Sequence, residues 1–113
     1  MKDAYVLLRH ILECIEWIEK DTEGMTLKEF RTAIPIQDAV IRRLEIIGEA
    51  AKHLPEHIKH THPEIPWDDI AGMRDVLIHE YFGVNVGTVW STVTRSLPPL
   101  KRAAQAILRP EPA

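Results

Sequence analysis

Arg74, His79 and Tyr81 stand as Arg-x4-His-x-Tyr within Met73-Arg74-Asp75-Val76-Leu77-Ile78-His79-Glu80-Tyr81-Phe82-Gly83. A permanent cation and an imidazole are the two groups that metal-free cleavage of a ribose phosphodiester requires. His79 can take the proton of a 2′-hydroxyl, or return one to the leaving oxygen. Arg74 can grip the phosphate with two parallel N–H donors and stabilise the charge of a pentacoordinate transition state. Tyr81 can hold a non-bridging oxygen. The 2′-hydroxyl is an internal nucleophile, so neither metal nor cofactor is needed. With eight Arg, six His and two Tyr in 113 residues, shuffling gives this string in roughly one chain in a hundred. That rarity sets it apart from a lone His or Arg. A structural reading fits the same residues: His79 and Tyr81 as satisfied polar groups at a helix end, Arg74 paired with Glu80 or a carboxylate on another helix.

Helical geometry constrains the chemistry. Arg74 and Tyr81 are seven residues apart and share a face, whereas His79 lies about 140° around from Arg74. One straight helix cannot aim all three at one point. Either the helix loosens before Gly83, or two copies meet and complete each other's site. Asp75, four residues before His79, can accept a hydrogen bond from the imidazole and fix its tautomer.

The elements that must position these groups read as helices. Tyr5, Leu8, Leu12 and Ile15, widened by Ile11 and Ile18, predict a helix from Asp3 to Lys20, ended by Gly24. Thr26 and Glu29 form a capping box for a short turn through Phe30. Pro35 opens a second long helix to Leu54, whose Val40, Leu44, Ile47, Ala51 and Leu54 form the seam of a close helix pair. Gly48 permits close backbone approach there. Pro55 starts a short helix to Thr61, and residues 62–66 form a stiff loop. Pro66 opens the motif helix, with Asp68 and Asp69 in its first turn, and it should end near Phe82-Gly83. A last stripe runs from Val86 through Val89, Trp90, Val93, Leu97, Leu100 and Ala104 to Ile107, with a kink or break expected at Pro98-Pro99. The expected fold is all-α: an antiparallel bundle of four main helices plus short ones, one domain over 1–109 with a tail at 110–113.

Bulk properties narrow the function classes. Apolar residues are 45% and charged residues 27%, ordinary for a soluble globular chain. The net charge of −3 disfavours a protein that coats nucleic acid but allows a local basic pocket. Arg42, Arg43, Arg74, Arg95, Lys101 and Arg102 would have to converge to make one, and Arg42 and Arg43 are candidate RNA contacts. Cys14 alone cannot form an intrachain disulfide, no apolar run is long enough to cross a membrane, and a reducing cytoplasm is the expected home. His53, His57, His60 and His62 form the densest imidazole cluster, but Pro55 splits the His53/His57 pair and no Cys completes a shell, so no metal site is assigned.

With the flanking Ile65-Pro66-Trp67, Ala71-Gly72-Met73 and Phe82-Gly83-Val84, the string resembles the HepT-like branch of the HEPN ribonuclease toxins. The likeness extends upstream to Asp38-Ala39-Val40-Ile41-Arg42 and residues 44–51, and downstream to Val89-Trp90 and residues 97–101. It implies a small helical protein that dimerises with the motif helices of two protomers facing each other. It implies metal-independent RNA cleavage, with Arg74 and His79 catalytic and Asp75 and Tyr81 supporting. Tyr81 would also be the hydroxyl to which a partner antitoxin, a minimal nucleotidyltransferase called MntA, attaches AMP to silence the toxin. The residue after the Arg is commonly Asn in such proteins, and here it is Asp75. Three readings follow: a ribonuclease toxin, a non-catalytic helical dimer that binds a nucleotidyltransferase and is modified on Tyr81, and a plain dimerisation protein.

Overall fold

The computed structural model describes residues 3–79 and 85–109, with the backbone alone at 78 and 79. Among these residues every regular element is helical: α1 (Ala4–Thr22), α2 (Leu27–Thr32), α3 (Ile34–Lys52), α4 (Glu56–Thr61), α5 (Trp67–His79), α6 (Val86–Ser91), a π-helical turn (Thr92–Ser96) and α7 (Leu97–Leu108). The ends expected at Phe82-Gly83 and the tail at 110–113 lie outside the described residues.

Local chemistry sets the boundaries. Asp3 caps α1, its carboxylate accepting the Tyr5 N–H at 2.7 Å. Gly24, at φ +73°, supplies the left-handed residue that turns the chain after it. The helix runs two residues beyond Lys20, and its stripe is rotated from the expected one. Leu7, Leu8, Ile11, Ile15 and Ile18 are buried, whereas Tyr5 is 51% exposed and Leu12 half-buried. These two sit at the margin of a stripe whose centre lies about 50° from Leu8, toward Leu7 and Ile11. The capping box of α2 forms as expected from Thr26 and Glu29. Buried Gln37 then reaches back from α3, donating to the Phe30 and Arg31 carbonyls at 2.7 and 3.0 Å. These carbonyls lie in the last turn of α2, where few backbone donors remain, so Gln37 ties α3 to α2.

Helix α3 lies between α1 and α5, and α1 also meets α7. The seam residues Val40, Leu44, Ile47, Ala51 and Leu54 are all buried. Truncating a fully buried Leu44 or Ile47 to Ala costs about 2–5 kcal/mol, a large part of the roughly 5–15 kcal/mol that holds such a domain. Apolar packing therefore fixes how α5 lies on α3. At the start of α5, the Trp67 indole N–H donates to the His62 carbonyl at 2.9 Å and anchors the preceding loop.

The expected break at Pro98-Pro99 takes another form. Helix α6 passes into α7 through the π turn, and both prolines sit in the first turn of α7. Prolines there lack the N–H groups that would bond to the Thr94 and Arg95 carbonyls, and their rings crowd those carbonyls. The wider turn, in which the Leu97 N–H donates to Thr92 O, makes room for them. The Thr92 and Thr94 hydroxyls donate to carbonyls four residues back, each at 3.0 Å.

Candidate active site

Gly48 determines how the site is assembled. A Cβ at this position would lie 2.9 Å from the Ile70 carbonyl oxygen and 3.1 Å from the Arg74 N and Cβ. Only a bare α-carbon lets the backbone of α5 come so close to α3. The approach sets Arg74 beside Glu49, the next residue on α3. Arg74 Nε lies 2.8 Å from Glu49 Oε2, and Nη1 lies 3.2 Å from Asp75 Oδ1. Glu49 Oε2 is buried yet has no hydrogen-bond donor aligned with it, so its contact with Arg74 is a charge attraction and not a linear hydrogen bond. The other oxygen, Glu49 Oε1, meets His53 Nε2 at 3.1 Å. An imidazole, a carboxylate, a guanidinium and a second carboxylate thus follow one another across two helices.

Arg74 is 37% exposed and Glu49 44%. At that exposure an ion pair contributes about 0.2–1 kcal/mol, so this one matters more for where the guanidinium points than for stability. Helix α5 is regular from Arg74 through His79, and the loosening expected at His79 and Tyr81, before Gly83, extends outside the described residues. The Arg74–His79 angle of about 140° therefore stands. The side chain of His79, and all of Tyr81, lie outside the described residues.

The two candidate RNA contacts separate. Arg43 turns to α1, where it pairs with Asp21 and lies 5.5 Å from the centre of the Trp17 ring. Arg42 is 71% exposed and only loosely paired with Glu45, at 3.4 Å. Seven residues before Glu49, it shares that residue's face of α3, about 10 Å along the helix. Lys101 pairs with Glu19 of α1 at 2.8 Å. Of the cations that would have to converge on one pocket, Arg43 and Lys101 therefore turn to α1, while Arg42 and Arg74 lie on the α3–α5 face. The imidazoles are likewise dispersed, with His53 on Glu49, His60 near Glu56 and His62 near Glu64. Among the described residues no three metal-ligating side chains converge.

On the other side of α5, a groove of about 520 Å³ runs between that helix and α6 with the π turn. Met73, Val76, Leu77 and Val89 give it an apolar floor, and Asp68 and Asp69 stand at its edge. Val76 is 57% exposed there. No helix among the described residues is long and apolar enough to cross a membrane.

A family model described as ribonuclease HepT-like matches residues 11–107, nearly the whole chain and the whole of this site. The chain belongs to the HepT-like ribonuclease family. A Thermococcus cleftensis protein named "Probable ribonuclease HepT" is 51% identical, over 83% of this chain and 86% of its own length. A Caldanaerobacter subterraneus protein named "Putative RNase" is 41% identical, over 98% and 99% of the two chains. A Methanocaldococcus jannaschii protein named "Gamma-glutamylcyclotransferase and putative RNase" is 48% identical over 95% of this chain, which spans 48% of that relative's length. No solved structure matches this HepT-like chain.

The sequence of this family member allowed Arg74 a carboxylate on another helix without pointing to Glu49, and His53 was weighed there only as a metal ligand. Their four-residue spacing is visible in the sequence. The contact with Arg74 depends on the α3–α5 crossing, and Gly48 beside Glu49 is the one local sign of it.

Proposed function

We propose that this protein is the toxin of a toxin–antitoxin pair: a cytoplasmic, metal-independent endoribonuclease working as a homodimer of antiparallel helical bundles. His79 removes the proton from a ribose 2′-hydroxyl, whose oxygen attacks the adjacent phosphorus. The 5′-oxygen leaves with a proton, and the products are a 2′,3′-cyclic phosphate end and a 5′-hydroxyl end. Arg74 binds the non-bridging oxygens and stabilises the charge that builds on them. The observation that carries the reading is Arg74 itself, held at the surface of a regular helix within a chain of the HepT-like ribonuclease family. The unbroken helix from Arg74 to His79 supports the dimer, because it keeps the two groups on different faces and a second copy would complete each site. Control by an MntA-like nucleotidyltransferase antitoxin follows the same logic. AMP on Tyr81 would set an anionic phosphate beside Arg74 and exclude the substrate.

The test is RNA cleavage in excess EDTA with the ends analysed. Wild type is expected to give cyclic phosphate ends, and Arg74→Ala and His79→Ala to reduce the rate at least a hundredfold. Intact RNA after incubation with folded wild type refutes the nuclease.

One observation favours a second reading, a non-catalytic dimer modified on Tyr81. Asp75 and Glu49 both stand against Arg74, and two carboxylates beside one guanidinium weaken its hold on phosphate. In that case wild type leaves RNA intact, yet gains the mass of AMP when given ATP and the nucleotidyltransferase, and Tyr81→Phe does not.

A further inference from the structure

We infer that Glu49 is the positioning residue of the site, fixing which edge of the Arg74 guanidinium faces the phosphate. This rests on the ribonuclease reading above. A guanidinium offers two edges for two-point recognition, one made by Nε with an Nη nitrogen and one by the two Nη nitrogens. Glu49 Oε2 lies 2.8 Å from Nε, off the line of its N–H bond, and its negative charge repels a phosphate from the first edge. Phosphate then meets the Nη pair, of which Asp75 shares Nη1. Two features hold Glu49 in place. The close helix contact at Gly48 fixes its backbone against Arg74, and His53 Nε2, 3.1 Å from Oε1, holds the far side of the carboxylate.

The arrangement has opposing consequences for substrate. Negative charge beside Arg74 lowers affinity for RNA, while a fixed guanidinium raises the fraction of bound complexes in reactive geometry. Glu49 therefore acts on kcat and KM in different senses. Removing an outer partner that orients a site residue typically costs ten- to a hundredfold. Glu49→Ala is expected to lower kcat by about that factor with KM equal to or below that of wild type, and the isosteric Glu49→Gln to fall between.

Two measurements test this on the full-length protein. In the first, kcat and KM for a single-stranded RNA are set beside the melting temperatures of both variants. A kcat within twofold of wild type in Glu49→Ala overturns the inference, as does a joint loss of kcat and melting temperature that marks a merely structural role. In the second, the Arg74 Nε–H NMR signal, assigned with Arg74→Lys, reports rotation about the Nε–Cζ bond. Slow rotation in wild type and fast rotation in Glu49→Ala support the inference, whereas equal rates overturn it. Because this signal requires no turnover, inactivity of the wild type would remove the ribonuclease reading and still leave the role of Glu49 decided.

Discussion

Gly48→Ala separates the helix contact from the chemistry it serves. In a helix interior Ala is favoured over Gly by about 1 kcal/mol, so propensity alone predicts a more stable protein. The structure predicts the reverse, because the new methyl would stand 2.9 Å from the Ile70 carbonyl oxygen and 3.1 Å from Arg74 N and Cβ. Two of these three atoms are backbone and cannot swing aside. Overpacking of this kind costs about 1–3 kcal/mol, which leaves a net loss of about 1 kcal/mol after the propensity gain. For 113 residues the unfolding entropy is about 0.24 kcal/mol/K, so the melting temperature should fall by roughly 4 °C. Gly72→Ala is the matched control. Its Cβ meets nothing within 4 Å, so the propensity gain should appear intact. A rise of about 4 °C follows for Gly72→Ala. Thermal unfolding by circular dichroism reads both. A Gly48→Ala protein that melts at or above the wild-type temperature would refute the close-contact argument, and with it the account of how Arg74 meets Glu49.

Arg42→Ala should weaken RNA binding and flatten its salt dependence by about one counterion, while Arg43→Ala leaves binding unchanged and lowers stability through the lost Asp21 and Trp17 contacts; fluorescence anisotropy at several salt concentrations distinguishes them. Stability should decline as pH rises through 9 and above. Burial raises the Cys14 thiol above its usual 9.0, and the hydrogen bond to Glu19 raises Lys101 above 10.5. The unfolded chain loses these protons first, so the stability present below the unfolded values is lost as pH climbs through the folded ones. Urea midpoints from pH 7 to 11 test this, and Cys14→Ala should remove the earlier part of the decline. The same burial predicts that Cys14 reacts with iodoacetamide at pH 8.5 more slowly in the native protein than in urea.

Much of the fold was legible because its signals are local. The Thr26–Glu29 box, Gly24, Pro35 and Pro66 act within one or two turns of chain, and each stands at a helix boundary. The seam of α3 was legible because its five apolar positions fall on one line. The stripe of α1 was not, since Ile11, Leu8 and Leu7 compete with Leu12 and Tyr5 across a broad apolar arc, and only the packing of α3 and α7 decides between them. The prolines of α7 signalled disruption without its form. At the site, Arg74 could be read from its spacing to His79, but its Glu49 partner belongs to a helix crossing, which no spacing within one helix encodes. The same limit hid the difference between Arg42 and Arg43, adjacent residues that the turn of α3 sends to different neighbours.

The π turn at Thr92–Ser96 carries a consequence for how this chain tolerates change. A π turn holds one residue more than the α turn it replaces. Deleting a single residue there would restore α pitch and leave α7 close to its present rotation, because five π residues and four α residues each make just over one turn. Leu97, Leu100 and Ala104 would stay in the core. The cost would fall on Pro98 and Pro99, whose rings need the wider turn. A one-residue deletion should therefore be tolerated only once both prolines are replaced.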